Sequence, residues 1–256
     1  WDHLDISQYT NLNLESNAIE WMHGNSMEWD GNNQILVSNR SSNEILKIDL
    51  QSGEVMWHMG GPLNQFTFRN DPKQGFRMQH DVRRLENGNI TLFDNGVTHS
   101  PPISRAIEYH IDEEEKTAEL VWEYTHPDSI VGFSMGSVQR LPNENTLINW
   151  GSINNSGALI TEVTIEKVVV LEVQFPNPHK VYKARKSDWA FSMDLLSGDT
   201  NLDNNLNIID MIHIIDSINE AIFPLDLYHL FRFDTNKDGE INTDDIEFIV
   251  NLLLQL

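Results

Sequence analysis

Short apolar runs recur along residues 20–175, each closed by an Asn- or Gly-bearing turn. Ile35-Leu-Val37, Ile45-Leu-Lys-Ile48 and Val55-Met-Trp57 come first. Ile90-Thr-Leu-Phe93, Ala106-Ile-Glu-Tyr109 and Leu120-Val-Trp122 follow, then Thr146-Leu-Ile148, Leu159-Ile160 and Val168-Val-Val-Leu171. The turns read Asp30-Gly-Asn-Asn33, Glu86-Asn-Gly-Asn89 and Pro142-Asn-Glu-Asn145. Runs this short, rich in β-branched residues and bounded by such turns, predict strands rather than helices.

The order also repeats. A polar segment leads into a turn and then a strand, with Ile35, Thr91 and Leu147 in equivalent places. A second strand ends in Ile48-Asp49 or Ile111-Asp112, and a third closes on Trp57 or Trp122. The unit is about fifty-five residues long, the length of a four-stranded propeller blade. A sandwich would give short strands too, but not this sequence of turn, strand and tryptophan three times. Residues 1–185 hold about three and a half units, whereas closed propellers have about 4–8 blades. An open set leaves strand edges exposed, so further blades are expected before Trp1 or from another source. The chain starts at Trp1 without an initiator Met and shows no signal peptide, which reads as a processed, trimmed or partial sequence.

Beyond Pro176-Asn-Pro178 the period changes. Lys180, Lys183, Arg185 and Lys186 form a basic run, expected to be a solvated strand face. Ile208–Asn219 and Asp244–Leu254 carry apolar residues at helical spacing, with Ile209, Ile212 and Ile215 on one and Ile246, Ile249, Val250 and Leu253 on the other. The predicted organisation is a β-propeller, partial in this chain, over 1–185, a linker over 186–197 and a small helical module over 198–256. The fold class is therefore mainly β with an α-helical tail.

Each predicted helix begins inside an aspartate ladder. Asp199, Asn201, Asp203, Asn205, Asn207 and Asp210 occupy positions 1, 3, 5, 7, 9 and 12 of one twelve-residue loop. Asp234, Asn236, Asp238, Glu240, Asn242 and Asp245 occupy the same positions of a second. A hard dication takes oxygen ligands from these positions, position 7 giving its backbone carbonyl. Two Ca2+ ions are the expected cofactors. In the first loop Asn204 stands where the sharp turn favours Gly; the second has Gly239. Asn tolerates the left-handed conformation, so the first loop is expected to bind more weakly.

The net charge of -22 sharpens this picture. Residues 186–256 carry 14 Asp+Glu against 3 Lys+Arg, and the other 185 residues carry 25 against 14. So acidic a chain repels phosphate backbones, which argues against nucleic acid as a partner. There is no cysteine, so disulfides and thiolate metal sites are excluded. No apolar run is long enough to span a membrane. Calcium loops fit the millimolar calcium found outside cells, so an extracellular or cell-surface location is expected.

The two loop-helix units, with short incoming segments at Met193–Leu196 and Leu227–Phe231, resemble the type I dockerin family over about residues 198–256. Both loops end in Asp, as dockerin loops do, where an EF-hand has Glu. The resemblance implies a cohesin module on a scaffold protein as partner, contacted near loop positions 10 and 11. These are Ile208-Ile209 and Thr243-Asp244, chemically unlike, so one binding orientation should dominate. The alternative is that these isoleucines pack inside the module, which is the expectation for Ile209.

Among ten histidines, His23, His80 and His99 stand out by context. His80 lies in Met78-Gln-His-Asp-Val82, at the head of a blade's inner strand, and His23 lies within one residue of the equivalent place in the previous unit. The third unit has Gly136 there. Inner strands face a propeller's central channel, so two units aim an imidazole at the axis. The rival reading is of packed, hydrogen-bonded histidines, and for His99 an exposed loop position.

Seven segments in order resemble the arylsulfotransferase family that works without a nucleotide sulfate donor. They are Ile35-Leu-Val-Ser-Asn-Arg40, Trp57-His-Met-Gly-Gly61, Gln79-His-Asp81, Leu92-Phe-Asp-Asn-Gly96, Ser104-Arg-Ala-Ile-Glu-Tyr109, Val121-Trp-Glu-Tyr124 and Gly136-Ser-Val-Gln-Arg-Leu-Pro142. The resemblance implies a propeller that moves a sulfuryl group from an aryl sulfate to a phenol through a sulfohistidine. It places His23 and His80 at the family's donor histidines and Arg40 and Arg105 in matching motifs. The family's nucleophilic His lies in the loop that here reads Thr125-His-Pro-Asp-Ser-Ile-Val-Gly-Phe133-Ser134, where His126 stands several residues early. Either His126 or His80 serves, or the propeller binds a glycan or protein without turnover.

Overall fold

The computed structural model describes residues 4–9, 13–153, 157–187, 198–201, 203, 205–220 and 232–254. The chain divides into two compact units, Trp1–Lys186 and Ser187–Leu256. The first is built from three up-and-down antiparallel sheets. β1 (Gly24–Trp29), β2 (Gln34–Asn39), β3 (Glu44–Asp49) and β4 (Val55–Gly60) form one sheet in sequence order. The second runs β6 (His80–Arg84), β7 (Ile90–Asp94), β8 (Arg105–Asp112) and β9 (Thr117–Tyr124), with the short β5 (Thr67–Arg69) added parallel to β9. The third is β10 (Ser137–Arg140), β11 (Thr146–Asn149), β12 (Ala158–Val163) and β13 (Val169–Phe175). Each is the four-stranded meander of a propeller blade.

The strands missing from the apolar runs are the first strands of the sheets. β1, β6 and β10 are polar at many positions, as in His80-Asp-Val-Arg-Arg84, yet they pair antiparallel with β2, β7 and β11, with a register shift between Gly24 and Ser26 in β1 and between His80 and Arg83 in β6. Their side chains bridge between sheets. The Val82 N–H donates to Ser26 Oγ at 2.9 Å, and the Val138 N–H donates to Asp81 at 3.2 Å.

Two apolar clusters hold neighbouring sheets together. Leu36, Ile45 and Trp57 of the first sheet pack with Ile90, Ile107 and Tyr109 of the second. Phe93 and Trp122 of the second pack with Val138, Ile148 and Trp150 of the third. The repeated tryptophans thus fill the seams between sheets, where burial of one large side chain contributes about 1.5–3 kcal/mol. Both outer faces stay apolar and exposed: Trp29 on β1 is 61% accessible, and Val169, Val170, Leu171 and Val173 of β13 are exposed as well.

The basic run does not form a solvated strand face. Residues 176–187 are irregular and lie along β10, with the Gly136 N–H donating to the Tyr182 carbonyl at 3.2 Å and Gln139 bonded to Lys186. Lys183 and Arg185 pair with the buried Asp81, and Lys186 pairs with Glu162. Three of its four residues are thus paired with carboxylates, Asp81 on β6 and Glu162 on β12.

In the second unit, α1 (Ile208–Glu220) and α2 (Thr243–Leu254) share a core of Ile214, Phe233, Ile241 and Ile249. On α1 the Ile209, Ile212 and Ile215 stripe is not the covered one. Ile209, Ile212 and Ile215 are exposed, Ile209 at 47%, while Met211, Ile214 and Ile218 turn inward. The expectation that Ile209 packs in the core therefore fails; two apolar stripes coexist on α1, and spacing cannot say which is covered. The segments Met193–Leu196 and Leu227–Phe231, and Asn204, lie outside the described residues.

Candidate functional site at the head of the inner strands

His80 is the first residue of β6 and is 3% accessible. Its orientation is fixed by Asn95, which directly follows β7. Both Asn95 amide hydrogens are taken, donating to the carbonyls of Gly132 at 2.7 Å and Met135 at 2.9 Å. Asn95 Oδ1 is therefore an acceptor, and His80 Nδ1–H donates to it at 2.7 Å. His80 Nε2 then bears a lone pair, toward which the Met135 N–H points at 3.2 Å. Burial pushes the imidazole pKa down to about 4, with the Arg40 and His23 charges adding to the shift and the Asn95 bond opposing it. At neutral pH His80 is an uncharged imidazole with one defined tautomer.

Around it stand three further groups. The His23 ring lies edge-on at 6.4 Å between centroids, and the Tyr182 ring also lies at 6.4 Å. His23 Nδ1–H donates to Glu20 at 2.7 Å, which leaves Nε2 as the basic nitrogen. The backbone N–H of Arg40 donates to the His23 carbonyl at 2.9 Å, tying the turn after β2 to the segment entering β1. The Arg40 guanidinium donates to the Phe133 carbonyl at 3.0 Å, and its buried Nε has no hydrogen-bond partner among the described residues. Burial lowers its pKa, offset in part by the Glu20 charge. Arg40 forms no salt bridge among the described residues, so its charge is poorly compensated. On the third sheet Gly136 stands at the His80 position with φ +109, where a Cβ would lie 2.3 Å from Phe93.

The structure brings His23, His80 and Arg40 together and sets the other candidates apart. Arg105 is 1% accessible, and every N–H of its guanidinium is occupied: Asp94 takes Nε, Asp71 and Glu123 take Nη1, and Asp71 and the Gly75 carbonyl take Nη2. Burial would lower its pKa, but the Asp71 bonds and the Asp94 charge reverse this and hold it far above the usual range. No donor remains for an external anion. His126 donates from Nε2 to Glu172 of β13 at 3.2 Å, accepts the Asp128 N–H at Nδ1 and packs edge-on against Trp150. His99 is buried rather than exposed, donating to Asp94 at 2.9 Å.

Asn95 and Tyr182 carry no sequence signal for a place at this site. Asn95 follows Leu92-Phe-Asp94, but its part depends on carbonyls thirty-seven and forty residues away. Tyr182 arrives from a segment with no regular structure, and nothing in its local sequence marks it.

The two acidic loops have nearly identical internal bonding. Asp210 accepts from the N–H groups of Thr200 and Asn207, and Asp245 from those of Thr235 and Asn242. Asp203 and Asp238 donate their N–H to Asp199 and Asp234. Asn207 and Asn242 also accept N–H bonds from Ile209 and Asp244, acting as helix caps. Among the described residues, no three His, Cys, Asp or Glu gather closely enough to hold a metal ion. None of the helices described is long and apolar enough to cross a membrane.

The fold and this cluster define a mainly β, blade-repeat protein with two imidazoles and a guanidinium gathered at the head of its inner strands. The sequence profile of the arylsulfotransferase (ASST) family matches residues 2–185, and the chain belongs to that family. No curated protein matches the chain. Solved structures similar to it include a streptogramin B lyase, 14% identical over 65% of this chain and 45% of its own, with a TM-score of 0.37. The β-propeller domain of Myceliophteria thermophila Cps50 (Swd1) is 7% identical over 61% and 42%, with a TM-score of 0.40. A virginiamycin B lyase from Staphylococcus aureus is 14% identical over 59% and 41%, with a TM-score of 0.33. The chain spans less than half the length of each of these structures.

Proposed function

We propose that the β unit transfers a sulfuryl group from an aryl sulfate to a phenol at His80. The observation that carries this reading is a neutral, Nδ1-protonated imidazole beside an arginine without a carboxylate partner. An imidazole nitrogen is a competent nucleophile, and a half-buried guanidinium can hold sulfate oxygens as charge moves to the leaving group. In the first step His80 Nε2 attacks sulfur, the bond from sulfur to the aryl oxygen breaks, and a phenolate leaves. In the second step the acceptor oxygen attacks the same sulfur, the N–S bond breaks, and His80 is regenerated. His23, oriented by Glu20 through Nδ1, accepts the acceptor's phenolic proton at Nε2. The route runs through His80 because it stands with His23 and Arg40, whereas His126 is bonded to Glu172 of β13 and to the Asp128 N–H, away from that cluster.

The test is turnover by the full chain with a chromogenic aryl sulfate and a phenol acceptor. Acceptor-dependent release of the chromophore is expected, falling at least about 100-fold in His80→Ala. Equal rates in the variant would dismiss the nucleophile. The second reading, a propeller that binds a sulfated glycan or a protein without turnover, draws on the Met135 N–H that already holds His80 Nε2. Binding of a sulfated glycan with no chromophore release would select it.

For the second unit we propose a dockerin-like module with two Ca2+ sites. One would use Asp199, Asn201, Asp203, Asn207 and Asp210 with the Asn205 carbonyl; the other would use Asp234, Asn236, Asp238, Asn242 and Asp245 with the Glu240 carbonyl. The donors are all oxygens, the chemistry a hard cation takes. Asp210 and Asp245 are fully buried, and their hydrogen-bond partners are neutral backbone and threonine groups, so a cation would offset their charge. The ion would fix the loop that starts each helix. The exposed Ile208 and Ile209 are available to a cohesin, whereas the second loop offers Thr243 and Asp244. A secreted protein on a scaffold is the consistent setting. Chelation with EGTA is expected to lower the helical circular dichroism while the β signal persists; a helical signal indifferent to EGTA would remove the calcium sites.

A further inference from the structure

A cleft separate from the His80 cluster holds another guanidinium that is unpaired among the described residues, that of Arg77. It opens between the loop after β4 and the segment entering β6, with a volume of about 260 Å³, and Gly60, Gly61, Asn64, Phe68, Gln74 and Arg77 line it. A smaller hollow of about 190 Å³ adjoins it, sharing Gly61 and Arg77 and adding Asn43. Both glycines are left-handed, at φ +77 and +64, and a Cβ on either would lie within 2.6 Å of the Asn43 or Ser42 carbonyl. The wall is therefore close-packed backbone, which gives the cleft a fixed shape.

Arg77 is the charged group of this cleft. Its side chain donates only to the Phe76 carbonyl, at 2.8 Å, and it has no salt bridge among the described residues. Its backbone is pinned, with the N–H donating to Asp94 at 2.8 Å and the carbonyl accepting from Gly96 at 2.9 Å. The guanidinium therefore has free donors on an anchored backbone. Around it are amides with spare capacity: Gln74 spends Nε2 on the Asp71 carbonyl, and Asn43 spends Oδ1 on the Met78 N–H, leaving Gln74 Oε1 and Asn43 Nδ2 for a ligand. The partly exposed Phe68 offers an apolar surface.

We propose that this cleft binds a monosaccharide unit carrying one acid group, a carboxylate or a sulfate, with the acid on Arg77. Size decides for a single ring, because sites for larger molecules occupy about 300–1,000 Å³. Charge decides for an anion, since an uncompensated guanidinium pairs best with a planar or tetrahedral oxyanion. The amides of Asn64 and Gln74, the Thr67 hydroxyl and the glycine backbone outnumber the Phe66 and Phe68 rings in the lining, which decides for a hydroxylated ring over a flat aromatic acid. The cleft stands independently of the sulfuryl-transfer reading, although Arg77 and Asn43 each lie three residues from His80 and Arg40.

The experiment titrates the full chain with methyl glucuronide, methyl glucoside and 4-hydroxybenzoate, followed by NMR of the side-chain amides of Gln74 and Asn64 and by calorimetry. Methyl glucuronide is expected to bind and to shift the Gln74 signals. Arg77→Gln should weaken it at least about tenfold, the loss of one charge-assisted bond. Arg77→Lys should weaken it less, and His80→Ala should leave it unchanged. Near-ultraviolet circular dichroism of Arg77→Gln checks that the variant is folded. Equal affinity for the neutral glucoside, loss of binding in His80→Ala, or no binding of the glucuronide overturns the proposal. Binding of 4-hydroxybenzoate in place of the glucuronide overturns the sugar assignment and makes the cleft an aromatic-acid site.

Discussion

Arg40 and Arg105 lie in the same β unit, and both stood in motifs that pointed to sulfate, yet their surroundings are opposite. Arg105 is enclosed by Asp71, Asp94 and Glu123, with Tyr109 donating to Asp71 and His99 to Asp94 behind them. Its charge is more than compensated. Arg40 donates to one carbonyl, acts electrostatically on the His80 imidazole and has no bonded carboxylate among the described residues. A buried cation saturated by carboxylates holds a fold together, while a half-buried cation left short of them can receive an anion. The residue type is shared; the local count of opposite charge decides the role.

The largest expected effect follows from removing Arg105. Arg105→Ala would strand Asp71 and Asp94, both buried, without their counter-charge. Breaking one partner of a buried pair costs about 3–5 kcal/mol, so the urea midpoint of the β unit should drop sharply, and added sulfate should not restore it. Wild-type stability in this variant would remove the distinction between the two arginines.

His80 gives the next effect, through pH. Its folded pKa of about 4 lies below the unfolded value near 6.5. Between these values the unfolded chain binds a proton that the folded chain refuses, so stability rises with pH across that window. The contribution is complete above about pH 6.5 and is lost as pH falls toward 4. It amounts to at most about 3 kcal/mol, at about 1.4 kcal/mol per unit. His80→Asn, which can still donate to Asn95, should flatten the stability profile between pH 6.5 and 4. A slope unchanged in that variant would mean that His80 is not held neutral by its surroundings.

The sequence showed the blade repeat plainly because Ile35, Thr91 and Leu147, and then Trp57 and Trp122, obey a simple period with local turn chemistry. It located His80 at the head of an inner strand for the same reason. It could not show which side chains meet across sheets. The Arg105 enclosure joins residues up to thirty-four positions apart, and the basic run at Lys183 and Arg185 finds Asp81 over a hundred residues earlier. A charge on a strand looks solvated until the packed neighbour is known. On α1 the difficulty is different: with isoleucines on more than one face and Met211 beside them, periodicity offers two stripes and burial selects one.

The smallest effect on stability is expected at Arg40, and it bears most directly on function. Arg40→Gln removes a half-buried charge whose desolvation is offset only by the exposed Glu20, and it relieves repulsion with His80. Stability without ligand should stay within about 1 kcal/mol of wild type, and the His80 pKa should rise because one of the charges depressing it is gone. Sulfate, or an unreactive aryl sulfonate, should raise the melting temperature of the wild type by mass action on the folded state. With the aryl sulfonate, that shift should disappear in Arg40→Gln while persisting in Arg77→Gln, measured by thermal scans over a sulfonate series at constant ionic strength. If the shift survives in Arg40→Gln, the poorly compensated guanidinium at the inner-strand heads is not the anion receptor, and the contrast with Arg105 loses its functional meaning.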